Sequence, residues 1–142
     1  MTNLIDLVNM VVSGTSIVPA AMTATTTGTG VDLANGTEST NAVQTVGVVS
    51  GTNPTWTTKM QESDDNSTFV DIAGATFTAV TATTARQVIR FLRSKRYCRA
   101  LSTIGGTSTP TFNASLDIFA QKKFGGTAAD LTAGGTSRSP ST

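Results

Sequence analysis

The stretch from Trp56 to Ile72 reads Trp-Thr-Thr-Lys-Met-Gln-Glu-Ser-Asp-Asp-Asn-Ser-Thr-Phe-Val-Asp-Ile. Trp56, Thr58 and Met60 lie on one side of an extended chain and alternate with polar residues, which is the period of a strand with one buried face. Residues 63–67 carry short polar side chains that bond to nearby backbone and favour turns. An apolar extended run follows. The stretch predicts a β-hairpin that holds the only tryptophan of the chain, as in the core of a β-sandwich.

Similar patterns recur along the chain. The clearest alternation runs from Phe112 to Ala120, and the dipeptide Asn35-Gly36 is a strong tight-turn signal. Pro19 places an early strand at a sheet edge or marks the start of a strand, and Gly47 predicts a bulge in a later strand. Further strands are predicted within 17–27, 31–33, 41–50, 86–91 and 97–104, with a turn at 51–54 and a loop at 105–110.

Composition agrees with an all-β chain, because threonine, a good strand residue, is abundant and glycine occurs 13 times. We therefore predict a β-sandwich or jelly roll of about eight short antiparallel strands. The predicted core anchors are Trp56, Met60, Phe69, Phe112, Leu116 and Ile118.

The two ends differ from this pattern. Residues 1–14 are predicted to form an extended apolar arm that contacts another subunit or a capsid, through Leu4, Ile5 and Val8. A short helix from residue 3 to residue 12, or a first strand of the same domain, fits these residues as well. The sandwich is assigned to residues 15–124. Residues 125–142 contain almost no apolar side chains, which predicts a flexible tail.

Bulk properties limit the classes of partner and compartment. A net charge of +1 predicts no general attraction to nucleic acid or membranes. Cys98 is the only cysteine and cannot form an intramolecular disulfide. We find no signal-peptide pattern and no apolar run near the roughly 20 residues that span a bilayer. A soluble protein made in a cytoplasm is expected.

Catalytic chemistry is disfavoured. The chain has no histidine, which removes the usual general base and the commonest metal ligand. Cys98 lies in a predicted strand and suits a buried position better than a nucleophile. The carboxylates Glu62, Asp64, Asp65 and Asp71 could form an acid-base or calcium site, but a hairpin turn explains them better. We expect no enzyme activity, no cofactor, no metal and no small-molecule substrate.

One charged feature is localised. Six of the ten basic residues occur without an intervening acid, and we call them the basic stripe: Arg86, Arg90, Arg93, Lys95, Arg96 and Arg99. The stripe is a docking patch for an acidic surface, a solvated edge that blocks edge-to-edge strand pairing, or a set of ion-pair partners for the chain's own acidic hairpin. Nucleic acid is a poor partner, because only Phe91 and Tyr97 could stack on bases there.

A resemblance to a known group of proteins rests on several segments of the chain. They are residues 60–65 and 69–72 of the hairpin, Lys95-Arg96-Tyr97-Cys98-Arg99-Ala100, the Gly-Thr-Ser-Thr-Pro loop and the final strand. Over about residues 15 to 122 the pattern resembles small β-sandwich structural proteins of tailed bacteriophages. It is most similar to capsid decoration, or cement, proteins.

The resemblance implies a virion protein on the outer surface of the head, made in the host cytoplasm. It also implies dimers or trimers that bridge major capsid proteins. An alternative is a carbohydrate-binding or adhesin-like sandwich of a phage tail or cell surface. Sugar sites usually present several aromatic rings, and this chain has one Trp and one Tyr.

Overall fold

A computed structural model describes residues 10–123. Within them the chain forms one antiparallel seven-stranded sheet, and the prediction of an all-β sandwich is confirmed. The strands are β1 Val11–Met22, β2 Thr26–Thr27, β3 Val31–Asp32, β4 Gly36–Ser63, β5 Val70–Thr76, β6 Ala85–Leu92 and β7 Tyr97–Lys122. No helix in the described part of the chain is long and apolar enough to cross a bilayer.

Two long strands, β4 and β7, run through the whole molecule and divide the sheet into two halves. In the first half, residues 40–49 of β4 and 112–121 of β7 lie between β1 and β6. In the second half, residues 55–63 of β4 and 97–105 of β7 lie between the short strands β2 and β3 on one side and β5 on the other.

The predicted turn at 51–54 and the predicted loop at 105–110 are wrong, because both segments lie within strands. Thr52 pairs with Thr107, and Thr55 pairs with Gly105, so the two long strands stay paired while they change direction. Positive φ angles at Gly51 (105°) and Gly106 (116°) accompany register shifts in this region, and such backbone angles suit glycine. The turn signals therefore mark a bend in a continuous ribbon.

The hairpin predicted from Trp56 to Ile72 is present. The end of β4 pairs with β5, with Gln61 opposite Asp71. In the turn, the Asp65 carboxylate accepts hydrogen bonds from the backbone N–H groups of Ser67 (2.9 Å) and Thr68 (2.8 Å). The Thr68 N–H contributes most, followed by the Ser63 hydroxyl (2.8 Å) and the Ser67 N–H, and together they lower the pKa of Asp65 to about 2.

The core lies between the two halves. The Trp56 side chain is fully buried, and its ring centroid lies 5.5 Å from that of Phe112 on the opposite half. Phe112, Leu116 and Ile118 are buried as their alternation predicted, and so is Met60. Phe69 is only partly buried, because its ring lies 4.0 Å below the Arg99 guanidinium instead of entering the core.

A buried glutamine joins the halves. The Gln44 side-chain oxygen accepts hydrogen bonds from the Trp56 indole N–H (2.8 Å) and from the Thr58 hydroxyl. Its amide nitrogen donates to Gln87 on β6 (3.2 Å). Buried polar groups are costly unless they are paired, so this network favours one alignment of the two halves.

The first strand begins earlier than the predicted domain boundary. Residues 11–14, which we assigned to the arm, pair with β7, with Val11 opposite Gln121. Pro19 lies in an edge strand, as predicted, and falls at a register irregularity between Ile17 and Ala20. Leu4, Ile5 and Val8 and the tail from residue 125 lie outside the described residues.

Candidate interaction surface

The structure separates the basic stripe into two groups. Arg86 and Arg90 lie on β6 in the first half and are exposed. Arg93, Lys95 and Arg96 lie in or next to the loop between β6 and β7, and Arg99 lies on β7 in the second half. The side chains of the second group are bonded to other parts of the protein, and those of the first group form no ion pair among the described residues.

Arg93 is a structural residue. Its side chain is 8% exposed, and one guanidinium nitrogen donates to the carbonyl oxygens of Leu33 (2.7 Å), Gly36 (2.8 Å) and Thr37 (3.0 Å). The other donates to the Lys95 carbonyl (2.7 Å). Arg93 thus ties the turn before β4 to the loop before β7. Its two terminal nitrogens are not free to bind a partner, and its Nε is buried without a hydrogen-bond partner among the described residues.

Glu62 holds the same loop from the other side. Its buried carboxylate accepts hydrogen bonds from the Ser94 N–H (2.7 Å), the Ser94 hydroxyl (2.8 Å) and the Lys95 N–H (3.3 Å). Because all three donors belong to the loop between β6 and β7, the role of this carboxylate is structural.

Lys95 and Arg96 form ion pairs with acids that are distant in sequence. Lys95 lies 2.6 Å from Asp64, and this contact raises the pKa of the lysine. Arg96 donates two hydrogen bonds to Asp32 (2.9 and 2.8 Å), which hold the pKa of Asp32 at about 2. Pairing with the acidic hairpin, one of the alternatives from the sequence, therefore applies to Lys95.

The other charged residues around the acidic hairpin are also bonded within the protein. Arg99 donates to the Gln61 side chain (2.9 Å), and Lys59 pairs with Asp71 (2.6 Å), lowering the pKa of that acid. Residues 10–123 contain no group of three or more potential metal-ligating acids, histidines or cysteines. Burial raises the pKa of the Cys98 thiol to about 12, so it stays protonated at neutral pH.

Strand β6 presents a different surface. Arg86 and Arg90 alternate with Val88, 52% exposed, and Leu92, 70% exposed, all on the outward side. Neither arginine forms an ion pair with another residue in the range 10–123. An exposed edge strand that alternates arginine with branched apolar side chains is a candidate contact surface.

This surface continues across the first half. One row across the strands consists of Val88 on β6, Val43 on β4 and Asp117 on β7. The next outward-facing row consists of Arg90, Asn41 and Phe119 on the same three strands. Phe119 and Val43 are half-buried and line a recess of about 380 Å³ together with Arg86 and Asp117. We call this outer side of β6, β4 and β7 the outer face.

Charge also distinguishes the two halves. Around the second half, five basic residues (Lys59, Arg93, Lys95, Arg96, Arg99) face five acids (Asp32, Glu62, Asp64, Asp65, Asp71). The first half carries four basic residues (Arg86, Arg90, Lys122, Lys123) and two acids (Glu38, Asp117). The uncompensated positive charge of the described residues therefore lies on the half that contains the outer face.

Sequence reasoning found Arg86 and Arg90 but missed their apolar neighbours. Phe119 and Val43 occupy outward positions of β7 and β4, and no contact role was predicted for either residue. An aromatic residue at an outward position was the available signal. Gln44 was missed as well, since its burial depends on Trp56 of the other half.

No protein-family model matches the sequence, and no curated protein matches it significantly. Among solved structures, the crystal structure of PBSX exported protein XepA is similar in fold, with a TM-score of 0.55 and 17% sequence identity. The match covers 87% of this chain and 40% of XepA, so this chain corresponds to less than half of that protein. The similarity between this chain and XepA is therefore a similarity of fold alone.

Proposed function

We propose that this chain is a non-catalytic structural virion protein of a tailed bacteriophage, which binds the outside of the assembled head and bridges neighbouring major capsid proteins. The fold likeness to XepA, an exported protein of the phage PBSX, supports a phage origin. The resemblance in sequence pattern to decoration proteins supports the head as its location.

The outer face is the observation that carries this proposal. It joins apolar side chains at Val43, Val88, Leu92 and Phe119 with positive charge that the described residues leave uncompensated. An apolar centre excludes water from a contact, and flanking charges select an acidic partner and speed its encounter.

Binding to a lattice needs no chemistry in order to stabilise it. A protein that binds assembled capsid subunits, but not separated ones, shifts the equilibrium toward the assembled head by mass action. A subunit that contacts two capsid proteins at once gains further from effective concentration.

Two members of the basic stripe are better candidates for docking than the other four. Arg93, Lys95 and Arg96 would have to give up carbonyl or carboxylate partners in order to bind a capsid. Arg86 and Arg90 have no ion-pair partner among the described residues that binding would displace. We therefore assign docking to Arg86 and Arg90 and a structural role to the other stripe residues.

Binding of purified protein to heads that lack it tests the proposal. Arg86→Glu with Arg90→Glu should weaken binding about tenfold or more, and the affinity of the unaltered protein should fall with salt. Arg96→Glu makes one charge reversal of the same kind on the other half, against two in the double variant, and should leave head binding within about twofold. Salt-insensitive binding, or an equal loss in Arg96→Glu, would remove the outer face from the proposal.

Position and copy number test the cement function itself. A reconstruction of whole virions should show many copies on the outside of the head. Absence from purified heads, or presence only in the tail, would contradict it. The carbohydrate-binding alternative has less support, because Trp56 is fully buried and the half-buried Tyr97 ring lies under Arg96.

A further inference from the structure

Strand β6 lies at an edge of the sheet and carries the two arginines assigned to docking. Among residues 10–123 it pairs with β4 alone, so the backbone N–H and C=O groups of alternate β6 residues point away from β4 without a strand partner. Such an edge is a template for an added strand from a binding partner. This strand therefore offers backbone pairing in addition to its side-chain contacts.

The outward side chains of β6 alternate between arginine and aliphatic residues. In order they are Arg86, Val88, Arg90 and Leu92, and the two aliphatic side chains are 52% and 70% exposed. On the other side of the same strand, Ile89 packs against the core and remains half-buried at the edge. A strand added beyond β6 would cover the exposed part of Ile89 and face the outward row.

We infer that the partner of β6 is an extended acidic segment of the major capsid protein, which adds to the free edge as a further strand. The inference rests on the proposed head binding and specifies the kind of capsid segment that makes the contact. Two carboxylates of the segment, four residues apart, lie opposite Arg86 and Arg90, and an apolar residue midway between them lies opposite Val88. Opposed pairs of unlike charge and opposed apolar pairs both stabilise neighbouring strands.

Spacing along β6 selects an extended partner. Residues four apart in a strand are separated by roughly 13 Å, so Arg86 and Arg90 match two carboxylates four apart in another strand. On a helix, residues four apart lie only about 6 Å from each other. Side chains on one face of a helix recur about every 5.4 Å, against roughly 6.6 Å in a strand. An acidic helix therefore loses register with the alternating row of β6.

Charge favours a capsid segment over a second copy of this chain. Pairing of two β6 strands would bring Arg86 and Arg90 of both copies to one seam, and like charges that face each other across strands are destabilising. No two acids among residues 10–123 are four residues apart. Three of those acids, Asp32, Asp64 and Asp71, are already in ion pairs. The described strands of a second copy therefore lack the acidic pair that β6 fits.

Hydrogen exchange of the head-bound protein tests the backbone pairing. The β6 amides that point away from β4 should exchange about tenfold or more slowly on heads than in the unbound protein, because a capsid strand accepts their hydrogen bonds. Strand β1 is the matched control, since it lies at the opposite edge of the first half and should keep its exchange rates.

The outcomes of this experiment separate the inference from the proposed function. Head binding with unchanged exchange in β6, or with equal slowing in β1, would overturn strand addition and leave docking through the outer face intact. Absence of head binding would overturn the proposed function and strand addition with it. Slower exchange in β6 alone supports both.

Photo-crosslinking tests the chemistry of the partner segment. Val88→Cys with a short photo-reactive label on the new thiol should cross-link to a capsid peptide that carries two acids four residues apart, with the attachment point between them. Val18→Cys with the same label is the matched control, because Val18 is 65% exposed on β1 and should not reach that peptide. The native Cys98 is buried and is not labelled. Trp56 fluorescence, which reports on a buried ring, checks that both variants are folded.

Two cross-linking results would overturn the inference. Attachment of the Val88→Cys label to a capsid peptide without the acidic pair would contradict the chemistry of the segment and leave head binding standing. Attachment to a second copy of this chain would show that the edge of β6 serves self-association instead.

Discussion

Replacement of Arg93 by methionine tests the division of the basic stripe into structural and docking residues. The change keeps much of the aliphatic stem but removes the group that donates to the carbonyls of Leu33, Gly36, Thr37 and Lys95. A hydrogen bond to a charged group contributes roughly 1.5–3 kcal/mol, so the four have a gross value of roughly 6–12 kcal/mol.

Removal of the guanidinium also removes its desolvation cost, which is several kcal/mol for a buried ion. The loop between β6 and β7 would then keep its hydrogen bonds to the Glu62 carboxylate but lose those to the Arg93 guanidinium. We therefore expect Arg93→Met to lower the free energy of unfolding by about 3–5 kcal/mol, as when one partner of a buried charged group is deleted.

Denaturant unfolding followed by Trp56 fluorescence measures this value, because the indole is fully buried in the folded protein. Arg86→Met is the matched control: the same substitution at an exposed position should change stability by no more than about 0.5 kcal/mol. A loss below about 1 kcal/mol for Arg93→Met, or equal losses in both variants, would refute a structural role for Arg93.

Three further predictions concern the core and the pH dependence. Trp56→Ala should cost about 3–5 kcal/mol in denaturant unfolding followed by circular dichroism, through lost transfer energy and a cavity, and a near-neutral result would contradict its place in the core. Gln44→Leu should cost about 1–3 kcal/mol, since the indole N–H loses its acceptor, and stability equal to the parent would show that the network is not needed. The pKa of Asp32 is lowered in the folded state to about 2 by Arg96, so its stabilising contribution is present above about pH 4 and is lost as the pH falls toward 2. Asp32→Asn should flatten the stability profile over that window, and an unchanged profile would argue against the ion pair.

The sequence by itself determined the strand pattern and the hairpin. Alternation between residues 112 and 120 follows from the two-residue period of a strand, so it can be read locally and matches the buried and exposed positions. The turn predicted at 63–67 was equally readable, because Asp65 bonds to the backbone a few residues away. Phe69 was misassigned to the core because its position depends on Arg99, which is distant in sequence.

Only the tertiary structure decided what each basic residue does. In sequence the six residues of the stripe look alike, but their partners at Leu33, Asp32 and Asp64 come from other strands and turns. The same holds for the bends at Gly51 and Gly106, where local turn signals occur inside strands because β4 and β7 remain paired there. Propensity acts between neighbours along the chain, whereas burial and charge compensation depend on the groups that the fold brings together.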